Sequence, residues 1–422
     1  ATIEAFVVGD VFGSRPSTIM YGPTRGGGRY PDRLEPATQP IRAERAAFFD
    51  VVIAVDAPPG IALGSLTVGA RRVPVELRVE PAQIDLRADP LVWVWYAPKE
   101  IARAHGVTAH SPTALDWETR YAALFRAHGA YASTDLSPDT VAGREAFLDG
   151  VRFWPVYLPI DNQAAFREQV RFWIDRLADS PAIPFAIPID EPRRLGRQLA
   201  VRVLADWARQ AGAGGERFWF AVTDRPRLIY GDAVDVYIAS DAVTGRNRER
   251  PPGAAQVWTY NGGAPFAGSM IIDTDAVALR TWGWIAFRYD LPLWYAWEGM
   301  YWSDRYNGGA VTDLDRDPVT FDDGEDHGNG DGLLAYPGAL PSLRLKVLRR
   351  GLADRALLRL LARCAPGGQA AADALAERLV PRALGEARKG DRLAWPIGEE
   401  TWEAARQEIL DGLVAAPECH DG

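Results

Sequence analysis

The chain has 422 residues, 47% of them hydrophobic and 24% charged, with a formal net charge of -9. That is the make-up of a folded protein and excludes a disordered or fibrous chain. A surface built for nucleic acid is excluded as well, because phosphate recognition needs clustered cations on a basic background.

Length alone allows one large domain with one or two small ones. No run approaches the roughly 18 to 20 apolar residues of a membrane-spanning helix. Arg far outnumbers Lys, which occurs only at Lys99, Lys346 and Lys389, and this reads as compositional bias. The two cysteines, Cys364 and Cys419, give neither a disulfide framework nor a Cys-based metal site. They can pair and pin the C-terminal tail or remain two thiols. A start at Ala1 fits either a processed secreted or periplasmic protein or a trimmed chain.

In chain order, residues 1–88 are rich in Val, Ile, Pro and Gly without long helical periodicity. Phe49 to Val55 and Val73 to Val79 have strand character between Gly and Pro punctuation, so a small β-sandwich is expected. The Gly26-Gly27-Gly28 loop lacks the strand-then-helix setting of a phosphate loop.

From residue 89 to about 365 strands alternate with amphipathic helices. The expected strands are Leu91 to Tyr96, Ala130 to Ser133, Val151 to Tyr157, Pro184 to Asp190, Arg217 to Thr223, Asp232 to Ala239, Gln256 to Tyr260 and Leu291 to Trp297. The expected helices are Ala114 to His128, Ala164 to Ala178, Gly196 to Ala211, Asp275 to Arg288 and Pro341 to Arg363. This is the α/β pattern of a TIM-like (β/α)8 barrel, although no clear helix separates the fifth and sixth strands. A doubly wound open sheet is the structural alternative, without a Gly-x-Gly-x-x-Gly after the first strand to support it. Residues 366–422, with helices at Gln369 to Ala387 and Glu400 to Leu413, form a helical appendage.

Chemistry gathers first at Pro184-Phe-Ala-Ile-Pro-Ile-Asp-Glu-Pro192, an apolar strand that delivers Asp190 and Glu191 to its C-terminal end before Pro192 stops it. Catalytic groups of alternating barrels sit at that end. The bland alternative is a solvated acidic turn. Aromatic residues crowd the stretch from Trp258 to Tyr306. Trp282, Trp284 and Phe287 fall on an expected helix and read mainly as core, whereas Trp258, Tyr260, Trp297 and Trp302 fall at or beyond strand ends, where they can face a sugar ring. Glu298, set among these aromatics, is a second catalytic acid, a hydroxyl anchor or the structural partner of an arginine.

The acidic run Asp313 to Asp326 lacks EF-hand spacing, since Pro318 stands where that loop needs Gly. His105, His110, His128, His327 and His420 show no metal-ligand spacing, so no metal or other cofactor is expected. There is no Gly-x-Ser-x-Gly elbow.

Several of these motifs, taken in order, resemble glycoside hydrolase family 123. They are Ile189-Asp190-Glu191-Pro192 closing a strand, Val257-Trp258-Thr259-Tyr260, Arg280-x-Trp282-Gly283-Trp284 on a helix, and the Trp-rich last strand. Further on, Gly328-Asn-Gly-Asp-Gly-Leu-Leu-Ala-Tyr-Pro-Gly338, Pro341-Ser342-Leu343-Arg344 and Arg350-Gly351 resemble the uncharacterised C-terminal domain of that family and its relatives. The resemblance implies a β-sandwich ahead of a barrel and a retaining, exo-acting β-N-acetylgalactosaminidase that uses substrate-assisted catalysis. Glu191 would then be the general acid and base, and Asp190 would orient the substrate's acetamido group. Trp258, Tyr260, Asn261, Trp297, Glu298 and Trp302 are the expected substrate-binding residues, and a glycan or glycoconjugate is the expected partner. Two alternatives stand beside it: a two-carboxylate retaining glycosidase with Glu191 as acid and Glu298 as nucleophile, and a barrel that binds carbohydrate without catalysis.

Overall fold

The computed structural model describes residues 2–42, 44–54, 56–68, 70–239, 254–305 and 308–419. Tyr306 and His420, both named above, lie outside them.

The N-terminal segment forms β1 (Thr2–Gly13), β2 (Gly28–Pro36), β3 (Ala47–Val52), β4 (Gly60–Val68) and β5 (Arg71–Val79). β1 is the middle strand of a three-stranded antiparallel sheet between β2 and β3, while β4 and β5 make a separate hairpin. The expected sandwich is therefore replaced by a sheet and a projecting hairpin. The core of the sheet is small, centred on Phe6, Val8 and Leu34 with Phe48 against it, and contains nothing from the hairpin. The hairpin's apolar side chains are not packed on the sheet: Ile61, Leu63 and Val73 remain exposed.

The sheet is fastened to the rest of the molecule by charge. Buried Asp32 takes a bidentate Arg344 (2.9 Å on both arms) and the Tyr336 hydroxyl (2.6 Å), and Asp50 pairs with Lys346 and Arg349.

The main body follows the expected alternation: β6 (Val92–Val94), α1 (Pro98–Ala104), α2 (Pro112–Ala127), β7 (Ala130–Ala132), β8 (Phe153–Pro155), α3 (Gln163–Arg176), β9 (Ile183–Ala186), α4 (Leu195–Gln210), β10 (Trp219–Val222), β11 (Val236–Ile238), β12 (Gln256–Tyr260), α5 (Thr281–Arg288), β13 (Trp294–Ala296) and α6 (Leu343–Cys364). Its eight strands run in the order β7-β6-β13-β12-β11-β10-β9-β8, every neighbouring pair parallel. The result is a curled parallel sheet in a mixed α/β fold. Where the two ends meet, the ladder is replaced by a single bridge between Leu136 and Val156 and by the Tyr131 hydroxyl donating to Phe153 O (3.0 Å). The barrel is thus TIM-like without a closed ladder.

These strands are covered on both faces, which is why they read as nearly continuous apolar runs. Inside the curl, Trp93, Phe153, Phe185, Trp219 and Trp258 meet with ring centroids 5.0 to 6.2 Å apart. Helix starts follow capping chemistry: Ser111, Asn162 and Ser342 accept from the backbone N–H groups of Ala114, Ala165 and Leu345.

α5 and α6 cross closely, because a Cβ on Gly283 would stand 1.9 Å from Gly351 O. Only glycine allows that contact. The tail helices α7 (Gly368–Leu379) and α8 (Glu399–Val414) extend the same core, Trp402 meeting Trp284 edge to face at 5.9 Å. Buried Arg280 joins Asp354 (2.8 Å), Glu399 (2.9 Å) and Glu403 (2.6 Å), and a Cys364–Cys419 disulfide ties the end of α6 to the tail.

Candidate active site

Strand β9 ends at Ala186, earlier than its sequence pattern implies, so Asp190 and Glu191 stand in a turn beyond it. This removes the difficulty that consecutive strand residues point to opposite faces. Glu191 has a φ of 39°, the left-handed region that a β-substituted residue adopts only when its surroundings impose it. The surroundings do so. The Thr223 hydroxyl, just past β10, accepts from Glu191 N (2.7 Å) and donates to Asp190 Oδ1 (2.6 Å), so one side chain clamps both acids. From α4, Arg197 donates to Asp190 O (2.9 Å) and Gln198 to Pro192 O (3.0 Å).

The two carboxyls have different partners. Glu191 is half-buried; its Oε1 accepts from the Tyr260 hydroxyl (3.0 Å) and its Oε2 from Arg193 Nη2 (2.6 Å). The Arg193 side chain is 81% exposed, so that ion pair lies in solvent and is readily exchanged. A hollow of ≈ 180 Å³ opens in front, lined by Glu191, Thr223, Asp224, Arg225, Arg227 and Tyr260 among others. Asp190 is solvent-accessible at the turn, yet withdrawal of its carboxyl from water raises its pKa; Thr223 opposes this rise and the neighbouring Glu191 charge adds to it.

More of the strand-end ring was not singled out in the sequence. Asp135, beyond β7, accepts from Trp95 Nε1 (3.1 Å), and burial raises its pKa to about 6 against that hydrogen bond, with Asp190 contributing. Tyr295 stacks on Trp93 at 4.3 Å, and its hydroxyl is pushed well above its usual range by burial and then by Asp190 and Asp135. Asp135 stands just past the end of β7, and Tyr295 is the middle residue of β13 in the aromatic-rich stretch. Those positions are the only sequence signals they carry.

Several expected binding residues prove structural. Trp258 is 0% exposed and fills the interior of the curl, two residues deeper along β12 than Tyr260. Trp302 is 2% exposed and donates its Nε1 to Ala335 O (2.9 Å). Glu298 is 0% exposed, paired with Arg305 and accepting from the Gly299 and Met300 N–H groups (3.2 Å each). Burial lifts its pKa to about 7, with Arg305 opposing. Of the readings open for Glu298, the structural partner of an arginine is the one realised. Asn261, with a φ of 50°, uses its side-chain oxygen to accept from Trp297 N (2.9 Å) and its carbonyl to accept from Trp294 Nε1 (2.8 Å), which shapes the loop after β12. Trp297 is half-buried, its Nε1 on Asp331 (3.2 Å) and its ring against Tyr301 and Phe321. Tyr260 alone of the expected set reaches the acid pair.

Residues 218–361 match the family model described as Glycoside hydrolase 123, catalytic domain. That segment carries the catalytic-domain pattern of glycoside hydrolase family 123. The matched segment includes Thr223, Tyr260 and Glu298, while Asp190 and Glu191 precede it. A family 123 glycoside hydrolase from Clostridium perfringens, studied for its hydrolysis of glycolipid glycans, has a similar fold: the TM-score is 0.63 at 13% identity, covering 97% of this chain and 85% of that one. A Parabacteroides merdae β-glucuronidase aligns over 84% of this chain and 48% of its own at 11% identity, with a TM-score of 0.34 too low to carry an argument. A search of curated proteins finds no match. The hydrolase class rests on that family match.

Proposed function

We propose that the chain is a retaining, exo-acting hydrolase of 2-acetamido sugars, with β-linked N-acetylgalactosamine as the first candidate. The observation that carries this reading is the single Thr223 hydroxyl holding Asp190 and Glu191 side by side at the open end of the parallel strands.

Glu191, within reach of the hollow, donates its proton to the leaving glycosidic oxygen as the bond to the anomeric carbon breaks. The substrate's own acetamido carbonyl oxygen forms the new bond to that carbon, giving an oxazolinium. Asp190 accepts the acetamido N–H and balances the positive charge. Water, deprotonated by Glu191, then opens the ring with net retention. This route needs no enzyme nucleophile. The two-carboxylate alternative loses its support because Glu298, its nucleophile, is sealed and paired. The Cys364–Cys419 disulfide favours an oxidising, secreted or periplasmic setting. The neighbour's glycolipid glycans are the natural substrate class to try after simple aryl glycosides.

Aryl β-N-acetylgalactosaminide, β-N-acetylglucosaminide and plain β-galactoside offered to wild type, Glu191→Gln and Asp190→Asn test the reading. Turnover is expected only with an acetamido sugar, with severe loss in both variants. Equal turnover of the plain galactoside would overturn neighbouring-group participation.

A further inference from the structure

Asp135, half-buried past β7, accepts from Trp95 Nε1 (3.1 Å) with its Oδ2, and its Oδ1 has no hydrogen-bond partner among the described residues. The Tyr295 hydroxyl has none either. Both atoms remain open to solvent, whereas the Trp258 indole nitrogen, also unpaired, is sealed. A structural acid in this ring looks different: Glu298 has both oxygens taken, by Arg305 and by two backbone N–H groups. Open, unpaired polar atoms in an otherwise satisfied wall are set to meet a ligand.

The wall is built from three neighbouring strands, Asp135 following β7, Trp95 following β6 and Tyr295 lying on β13. Its rings are held in place. Arg305 stands over the Trp95 ring (5.7 Å), and the Tyr295 ring is stacked between Trp93 (4.3 Å) and Tyr260 (6.3 Å). Across the seam of the curl, Tyr157 N donates to Leu136 O (2.8 Å), which brings a 51% exposed tyrosine next to Asp135.

This wall lies on the Asp190 side of the acid pair. Burial raises both the Asp135 carboxyl and the Tyr295 hydroxyl, and the Asp190 charge adds to each, so both are neighbours of Asp190. Glu191 instead meets Tyr260 and the hollow lined from the ends of β10, β11 and β12. In the hydrolase reading, on which this inference rests, Asp190 takes the acetamido N–H on C2 of the sugar. The hydroxyls on C3 and C4 stand on the next two ring carbons, so groups beside Asp190 and away from Glu191 meet them. A sugar hydroxyl both gives and accepts a hydrogen bond, which a carboxylate oxygen and a phenol together satisfy. We propose that Asp135 Oδ1 and the Tyr295 hydroxyl anchor one ring hydroxyl, on C3 or C4, of the terminal 2-acetamido sugar, so that a sugar substituted at that hydroxyl is refused.

The test is binding of N-acetylgalactosamine and its 3-deoxy and 4-deoxy analogues to wild type, Asp135→Ala and Asp135→Asn, followed by ligand-observed NMR, which needs no turnover. Wild type is expected to bind one deoxy sugar on the order of tenfold more weakly than the parent, the scale of a hydrogen bond to a charged group, and the analogue affected tells C3 from C4. In Asp135→Ala that difference should vanish. Asp135→Asn keeps an acceptor for Trp95, and should melt as wild type does while binding the parent about tenfold more weakly. The proposal is overturned if wild type binds none of the sugars or does not distinguish them. It is overturned too if Asp135→Ala weakens all three by one factor, or if Asp135→Asn binds the parent as wild type does, since Asp135 would then only hold Trp95. Sugar binding with this pattern in a chain that turns over no acetamido glycoside would sink the hydrolase reading alone, and turnover without the pattern would sink this inference alone.

Discussion

Glu191 and Glu298 both stand past the end of a parallel strand, and in the sequence each reads as a candidate acid. Their fates differ completely. Glu298 is sealed, with Arg305 on one oxygen and two backbone N–H groups on the other. Glu191 is left half-open, its partners a phenol and an arginine that lies in solvent. A carboxylate whose lone pairs are all taken inside the protein serves the fold, whereas one whose partners can be exchanged with a ligand can serve chemistry.

The comparison breaks if activity and stability respond the other way round. Glu191→Gln should cut turnover of the acetamido glycoside by about 10² to 10⁴, the range of a positioned general acid, with little change in melting. A variant melting far below wild type with its activity intact would reverse the assignment of the two acids.

Arg305→Ala should do the opposite and cost about 3 kcal/mol in denaturant unfolding, because it leaves a buried carboxyl without its cation. The pH dependence sharpens the point. The Glu298 carboxyl titrates at about 7 in the folded chain against 4.5 for an unperturbed glutamate. Burial therefore favours the protonated form, so its contribution to stability is fully present below pH 4.5 and is lost as pH rises through about 7. Melting curves of wild type and Glu298→Gln should diverge in that window, and parallel curves would contradict the burial argument.

Smaller effects are expected around Glu191. Tyr260→Phe removes one hydrogen bond to an ionisable group, for which roughly tenfold in kcat is expected. Arg193→Ala should change kcat/KM by less than about fivefold and shift its salt dependence, as befits an exposed ion pair. A loss as large as that of Glu191→Gln would mean that Arg193 belongs to the chemistry.

Much of this was legible in the chain itself. Apolar runs mark strands covered on both faces, so all eight parallel strands, and the helices α2, α3, α4 and α6, lie where the sequence places them within a few residues. The position of the acid pair was visible because an apolar run closed by Pro192 ends there, whatever its two carboxyls do. What escaped was how deep each side chain sits along its strand. Trp258 and Tyr260 are two residues apart on β12; one packs against Phe153, Phe185 and Trp219, and the other donates to Glu191. The expected sandwich differs from the structure because strand propensity does not reveal whether two sheets bring their apolar faces together.

Local sequence determined where strands and helices form, because periodicity and capping act over a few residues. It also placed two adjacent carboxyls at a strand's end. Only the tertiary structure decided that Thr223 would hold them together and that Arg305 would seal Glu298. Thr223 lies 32 and 33 positions from the two acids, and only the packing of the whole chain brings them into reach.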